Sequence, residues 1–218
     1  MVPIVHQLAM GSMANFAYIV ACPTTHQAIV IDPSAEAERI ASEVKAHGYQ
    51  LIAIVVTHGH PDHVAGVAAL ERLTKVPLIA HRDAGVGEFH LMDSAFLLML
   101  GGERPPKPDR LVGDGDTIEV GTVQLKVMYA PGHTPGDMLL YTPGAVFTGD
   151  VLFVQGVGRT DLPGSSHATF VRSLRDKVGA LPDDSVVYPG HDYGPRPTST
   201  IGDEKRNNPE LRAAIGRR

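Results

Sequence analysis

From Leu51 to His63 the chain reads LIAIVVTHGHPDH, in which an apolar run leads directly into three histidines and an aspartate. A β-branched run that ends in a turn is typical of a buried strand, so the polar cluster is predicted to lie just past the C-terminal end of a strand. Neutral imidazole and carboxylate are side chains that hold zinc, iron or manganese at neutral pH. The stretch therefore predicts a metalloenzyme.

The composition is typical of a compact enzyme. The chain has 218 residues, of which 43% are hydrophobic and 20% charged, and we expect one domain over residues 1–218. A net charge of −5 argues against a nucleic-acid partner, and the apolar runs fall short of the ~20 residues that a membrane span needs. The N-terminus does not look like a signal peptide, and the lone Cys22 cannot form an internal disulfide and is predicted to fill the core. We expect a cytoplasmic monomer or homodimer.

Apolar runs alternate with amphipathic segments along the chain. The predicted strands cover residues 16–21, 28–31, 51–56, 77–80, 117–119, 123–129, 138–141, 145–147 and 185–188, and the predicted helices cover 35–47, 64–74 and 168–178. Asp32-Pro33-Ser34 is interpreted as the turn and cap of the first helix. Two similar halves of mixed elements favour an α/β fold with two packed sheets and helices outside.

An insertion at about 81–110 interrupts this scheme. It carries an apolar stripe and then a proline-rich exit at 101–108 that should end any helix. The stripe is interpreted either as a helix that covers the edge of the core or as a lid over the active site, and the two are compatible. Its members are Phe89, Leu91, Met92, Phe96, Leu97, Leu98, Met99 and Leu100.

Further ligand candidates follow other predicted strands. His133, Asp150 and His191 each come just after an apolar run and beside a glycine that lets the backbone turn. Functional groups in α/β proteins gather at the C-terminal ends of strands, so these three are predicted to join the histidine cluster. Asp32 ends another strand, and we expect it either to orient a ligand by a hydrogen bond or to cap the turn.

At these residues the chain resembles the metallo-β-lactamase superfamily, whose T-H-x-H-x-D-H signature stands at Thr57–His63. The resemblance runs from about Asn15 to Leu211 and implies a four-layer αβ/βα sandwich with a two-metal site. It makes Asp62 and Asp150 the candidate catalytic residues. It assigns His58, His60 and His133 to the first metal, Asp62, His63 and His191 to the second, and Asp150 as the bridge.

Within that superfamily the chain is similar to the short, prokaryotic type of glyoxalase II-like thioesterases. The similarity lies in GDVLF at 149–153, GVGRTDLPG at 156–164, PTSTIGDEKRNNPELR at 197–212 and the insertion. It implies hydrolysis of a small-molecule thioester such as lactoylglutathione by a metal-bound hydroxide. Zinc is the expected metal, with iron and manganese as alternatives.

The candidate substrate-binding residues depart from that family. Arg159 and Asp161 stand where the longer enzymes have a lysine and a tyrosine for glutathione, and Arg159 could instead form a salt bridge that braces its loop. Arg212 matches a glutathione-contacting arginine, but it lies in what we expect to be a short C-terminal tail at about 197–218. Tyr193 is expected either to line the substrate pocket or simply to pack. Recognition of glutathione therefore stays open.

Three other functions compete with thioester hydrolysis. The first is persulfide dioxygenase, which GRTD at 158–161 and HDY at 191–193 resemble; it would use a single iron on His58, His133 and Asp150, and the long insertion argues against it. The second is a lactonase or another metallo-hydrolase such as a β-lactamase. The third is a binding module with a structural zinc, which a ligand set without cysteine does not favour.

Overall fold

The computed structural model describes residues 1–86 and 91–216 and contains two six-stranded sheets. In the first sheet the strands follow chain order: β1 (Ile4–Met10), β2 (Asn15–Ala21), β3 (Gln27–Ile31), β4 (Gln50–Val56), β5 (Leu78–His81) and β6 (Arg110–Val112). The second sheet holds β7 (Thr117–Val120), β8 (Val123–Tyr129), β9 (Met138–Thr142), β10 (Ala145–Gly149), β11 (Val186–Pro189) and β12 (Ser199–Thr200), again in chain order.

Helices cover the outer faces of the sheets. They are α1 (Ala37–Ala46), α2 (Pro61–Val64), α3 (Val67–Thr74), α4 (Leu91–Met99), α5 (His167–Ser173), α6 (Ile201–Asn207) and α7 (Pro209–Gly216), and a π-helical turn at Leu174–Val178 extends α5. Residues of α1 and α3 pack against the first sheet, while α5 and α7 pack against the second. The predicted four-layer α/β sandwich is confirmed.

The central layer of the core explains why the strands are so apolar. In β2, Tyr18 and Val20 face the second sheet, whereas Ala17 and Ile19 face the helices on the other side. Side chains alternate along a strand, so a strand buried on both faces needs a continuous apolar run. The lone Cys22 is buried in the layer between the sheets, as expected.

Several predicted elements need correction. The first helix begins at Ala37, and its first residues have no side-chain cap because Glu36, not Ser34, precedes it. The predicted helix over 64–74 is two helices, α2 and α3, separated by Ala65 and Gly66. The edge strand β1 was not predicted, because polar residues interrupt its half-buried pattern.

The described part of the insertion contains one helix, α4, and the C-terminal stretch is largely helical. In the insertion, Leu97 of α4 is buried in the core while Leu98 and Met99 are 72% and 83% exposed. Phe89 and residues 87–90 as a whole lie outside the described residues, as do the side chains of Leu91 and Met92. The expected tail is the strand β12 with α6 and α7, whose residues Ile201, Leu211 and Ala214 are buried in the core beside α5. Among the described helices, none is both long and apolar enough to cross a membrane.

Candidate metal centre

The signature histidines lie where β4 ends and α2 begins. His58 and His63 are buried, and His60 and Asp62 are partly exposed, so the cluster opens to solvent on their side. Pro61 starts α2, and its fixed backbone angle suits the first turn of a helix that carries Asp62 and His63.

The first group of candidate ligands is His58, His60 and His133. His60 Nδ1 lies 2.9 Å from His133 Nε2, and the rings of His58 and His133 have centroids 5.2 Å apart. One nitrogen from each of the three rings lies within 4.8 Å of the others. The structure thus brings together residues that are up to 75 positions apart in the chain.

The second group is Asp62, His63 and His191. His191 Nε2 lies 3.1 Å from His63 Nε2 and 3.3 Å from Asp62 Oδ2. Gly190 is required beside them, because a Cβ atom there would collide with Asp150 Oδ1 and with the ring of His63. These three atoms also form a compact set that could hold an ion.

Asp150 lies between the two groups. Its Oδ2 is 3.5 Å from His133 Nε2 and 3.4 Å from His191 Nε2, and its Oδ1 is 3.2 Å from His63 Nε2. The carboxylate therefore touches members of both groups. All seven candidate ligands from the sequence are gathered at one place.

Hydrogen bonds outside the cluster fix the tautomers of three histidines. The Nδ1 atoms of His133, His191 and His63 lie 2.7 Å from the carbonyl oxygen of Arg159, 2.9 Å from that of Met13 and 3.0 Å from Asp32 Oδ2. Carbonyl and carboxylate oxygens only accept, so each Nδ1 must carry a hydrogen, and in the neutral ring Nε2 is the nitrogen whose lone pair faces the cluster.

The facing nitrogens and carboxylates need positive charge, which either protons or metal ions can supply. Against burial, which lowers the pKa of both rings, Asp150 and Asp62 raise the pKa of His63 well above its usual value and raise that of His191 to about 9. In the metal-free protein a proton can therefore lie between the two Nε2 atoms, which are 3.1 Å apart, and a metal ion would replace it.

His58 Nε2 and Asp150 Oδ1 are buried without a hydrogen-bond partner. Burial lowers the pKa of His58, and lowers that of His60 to about 4, so both imidazoles are neutral and able to ligate at pH 7. The residues present fit metal ions.

Asp32 orients two of these histidines from outside the cluster. Its Oδ1 accepts from Thr57 N at 2.7 Å, and its Oδ2 accepts from Thr57 Oγ1 at 2.6 Å and from His63 Nδ1 at 3.0 Å. Thr57 Oγ1 in turn lies 3.1 Å from His58 Nδ1. Of the two roles expected for Asp32, the hydrogen-bonding one is therefore right, and the capping of α1 is wrong.

Asn15 is a residue of the site that the sequence analysis missed. It is buried at the start of β2, and its Nδ2 donates to Asp62 Oδ2 at 3.1 Å. The signal available in the sequence was a polar residue directly before an otherwise apolar strand.

The candidate substrate-binding residues lie in different environments. Arg159 forms a two-pronged ion pair with Asp161 at 2.6 and 2.7 Å, and both side chains are largely exposed, which agrees with the bracing interpretation. Tyr193 stacks on the ring of His191 with centroids 4.5 Å apart and is 57% exposed. Arg212 is exposed on α7.

Comparison with known proteins places this centre in a family. The model of the metallo-β-lactamase superfamily matches residues 11–191, and the chain belongs to that superfamily. It is an enzyme of this class, with histidine and aspartate clusters suited to metal binding.

Its relatives include two kinds of enzyme. The chain is 37% identical to a hydroxyacylglutathione hydrolase of Polaromonas sp. (strain JS666 / ATCC BAA-500), over 82% of this chain and 62% of the relative. It is 30% identical to the mitochondrial persulfide dioxygenase ETHE1 of Mus musculus, over 95% of this chain and 76% of the relative. A solved structure of TTHA1623 in a di-iron-bound form superimposes with a TM-score of 0.81 at 33% identity, covering 94% of this chain and 99% of that one.

Proposed function

We propose that the chain is a metal-dependent hydrolase that holds two divalent ions, with zinc as the expected metal, and cleaves a thioester such as lactoylglutathione. The observation that supports this most is the position of Asp150, within 3.5 Å of histidines from two complete three-ligand groups. From this position the carboxylate could serve as a ligand to an ion held by either group, and two ions together would supply the chemistry of a hydrolase.

The roles of the chain's residues follow from the site. His58, His60 and His133 would hold one ion, Asp62, His63 and His191 the other, and Asp150 would contact both. When bound, such a pair of ions supplies a hydroxide near neutral pH and polarises the carbonyl group.

The residues around the candidate ligands determine how a substrate reaches the site and what it contacts there. Burial of His58 and His63 keeps water from the inner side of the site, so the thioester carbonyl reaches the centre from the open side beside His60 and Asp62. A thiolate is a weak base and leaves without a general acid. Asp62 is therefore needed as a ligand rather than as a proton donor. We propose that Tyr193, which stacks on His191, and the exposed side chain of Arg159, whose backbone oxygen accepts from His133, contact the thiol carrier.

Metal analysis combined with a hydrolysis assay tests the proposal. Zinc-loaded protein should contain two equivalents of zinc and cleave lactoylglutathione with a kcat/KM above about 10⁴ M⁻¹s⁻¹. Asp150→Ala should lose zinc and activity together, while the control Asp176→Asn, which removes only an exposed ion pair with Arg175, should keep both. Full activity in Asp150→Ala, or background rates in the wild type, would contradict the proposal.

Persulfide dioxygenase is the second candidate, because the relative with that name matches 95% of this chain, compared with 82% and 84% for two hydroxyacylglutathione hydrolases. It would use one iron on His58, His133 and Asp150. His60→Ala separates the two functions, since it removes a ligand of the two-metal site and none of the single-iron set. Oxygen uptake with glutathione persulfide that survives in iron-loaded His60→Ala would favour the dioxygenase.

A further inference from the structure

Glu204 on α6 is a fully buried carboxylate with no ion-pair partner in the described part of the chain. Its Oε2 accepts from Gln155 N at 2.8 Å and from Asn208 Nδ2 at 3.0 Å, while its Oε1 has no partner. Burying a carboxylate without a cation is unfavourable, so this position needs an explanation beyond packing.

Asn208 connects Glu204 to the same turn and to the start of α7. Its Nδ2 also donates to the carbonyl oxygen of Gly156 at 2.9 Å, and its Oδ1 accepts from Leu211 N at the start of α7. Gln155 has a φ of 60°, a left-handed conformation that side chains disfavour, and it is held there by Glu204. The segment PTSTIGDEKRNNPELR at 197–212 therefore contributes two side chains, from its middle, that hydrogen-bond to one tight turn.

That turn belongs to a segment, 153–159, that touches both groups of candidate ligands. At one end the ring of Phe153 meets the ring of His191 edge-on, with centroids 5.7 Å apart. At the other end the carbonyl oxygen of Arg159 accepts from His133 Nδ1 at 2.7 Å. Between them Gly158 packs so closely on Asp150 that a Cβ atom would overlap its carbonyl oxygen.

We propose that Glu204 and Asn208 are positioning residues for the metal centre. By fixing the turn at 155–156 they hold the 153–159 segment, which fixes the tautomer of His133 and packs against His191. The C-terminal helices thus form part of the site without touching it. This inference rests on the proposed function, because it takes His133 and His191 as metal ligands.

Two substitutions at Glu204 test the proposal. Glu204→Ala should weaken metal binding about tenfold, measured by competition with a chelator, and should change the visible absorption spectrum of the cobalt-loaded protein. Glu204→Gln should restore both, because its single oxygen can replace Oε2 and its amide can take the unpartnered place of Oε1. Lys205→Met is the matched control, since it removes contacts of α6 with Leu181 and Asp183 on its other side.

Asn208→Ser provides a second variant if Glu204→Ala does not fold. Its hydroxyl can still accept from Leu211 N at the start of α7, but the amide that donates to Gly156 and to Glu204 Oε2 is lost without adding a charge, and the same tenfold loss is expected. Metal affinity and a cobalt spectrum equal to those of the wild type, in either variant, would overturn the proposal. So would equal losses in Glu204→Ala and Lys205→Met. A wild-type protein that binds no metal would instead overturn the proposed function itself.

Discussion

Asp32→Asn exchanges one buried carboxylate oxygen for an amide group and should disable His63 as a ligand. In the wild type, Asp32 Oδ2 accepts from both Thr57 Oγ1 and His63 Nδ1. If the asparagine keeps its oxygen on Thr57 N, its amide faces His63 Nδ1, which must then give up its hydrogen. The hydrogen moves to His63 Nε2, where it blocks the lone pair that faces His191 and Asp150.

If the asparagine amide is rotated so that its oxygen and nitrogen exchange places, a different hydrogen bond is lost. Its oxygen would serve His63 Nδ1, but the amide would then oppose Thr57 N, a buried donor that loses its partner. One unsatisfied buried group costs about 1–3 kcal/mol of unfolding free energy. Loss of a hydrogen bond that orients a ligand typically lowers metal affinity by about 10–100-fold. Both effects should therefore appear in this variant.

Chelator competition for zinc and urea unfolding of the metal-free protein measure the two effects separately. Asp116→Asn is the control, because Asp116 also accepts from a backbone amide, that of Gly113, but lies on the surface away from the centre. Its zinc affinity should equal that of the wild type. Unchanged zinc affinity in Asp32→Asn would refute the tautomer argument, whatever happens to stability.

Three further substitutions probe other parts of the site. Asn15→Ala should weaken zinc binding about tenfold by freeing Asp62, and equilibrium dialysis that finds both ions bound as in the wild type would contradict this. Asp137 is buried and accepts from Thr134 N in the loop that carries His133. Burial raises the pKa of Asp137 to about 6, so its contribution to stability is full below about pH 4 and is lost as the pH rises through 6. The free energy of unfolding of Asp137→Asn minus that of the wild type, both measured in urea, should therefore rise by about 3 kcal/mol between pH 4 and 7. A difference that stays constant with pH would refute the pKa shift. Arg159→Ala breaks only the exposed pair with Asp161, so unfolding free energy should change by less than about 0.5 kcal/mol. A raised KM for lactoylglutathione at constant kcat is expected there, and a lowered kcat would argue against contact with the carrier alone.

The strands that the sequence predicts best are those buried on both faces. Continuous apolar runs such as those of β2 and β4 have few other interpretations, since a loop of that composition would expose its hydrophobic surface. β1 was missed because its pairing with β2, rather than its own residues, defines it. The same holds for α6 and α7, whose apolar residues are too few to show a helical period but pack into the core beside α5.

The residues of the site also differ in how well the sequence predicts them. Its seven candidate ligands could be predicted because each follows a strand or the turn after it, and the strand ends converge at one edge of the sandwich. The contacts of Asn15 with Asp62 and of Glu204 with Gln155 arise only in the folded chain, whereas the hydrogen-bonding role of Asp32 was one of two predicted from the sequence. Asp32 adopts a φ of 48° directly before Pro33, where extended backbone is preferred, so local rules point away from its actual conformation.

The three histidines with fixed tautomers depend on three separate parts of the chain. His63 relies on the end of β3, His191 on the turn before β2, and His133 on the loop after β10. Since each Nε2 is free only when its own outer hydrogen bond is formed, the ligand set is complete only when both sheets and their loops are assembled. Metal binding by this centre is therefore coupled to the tertiary fold rather than to the signature alone. A peptide carrying Thr57–His63 would have the residues of the signature but not Asp32, whose carboxylate orients His63 directly and His58 through Thr57.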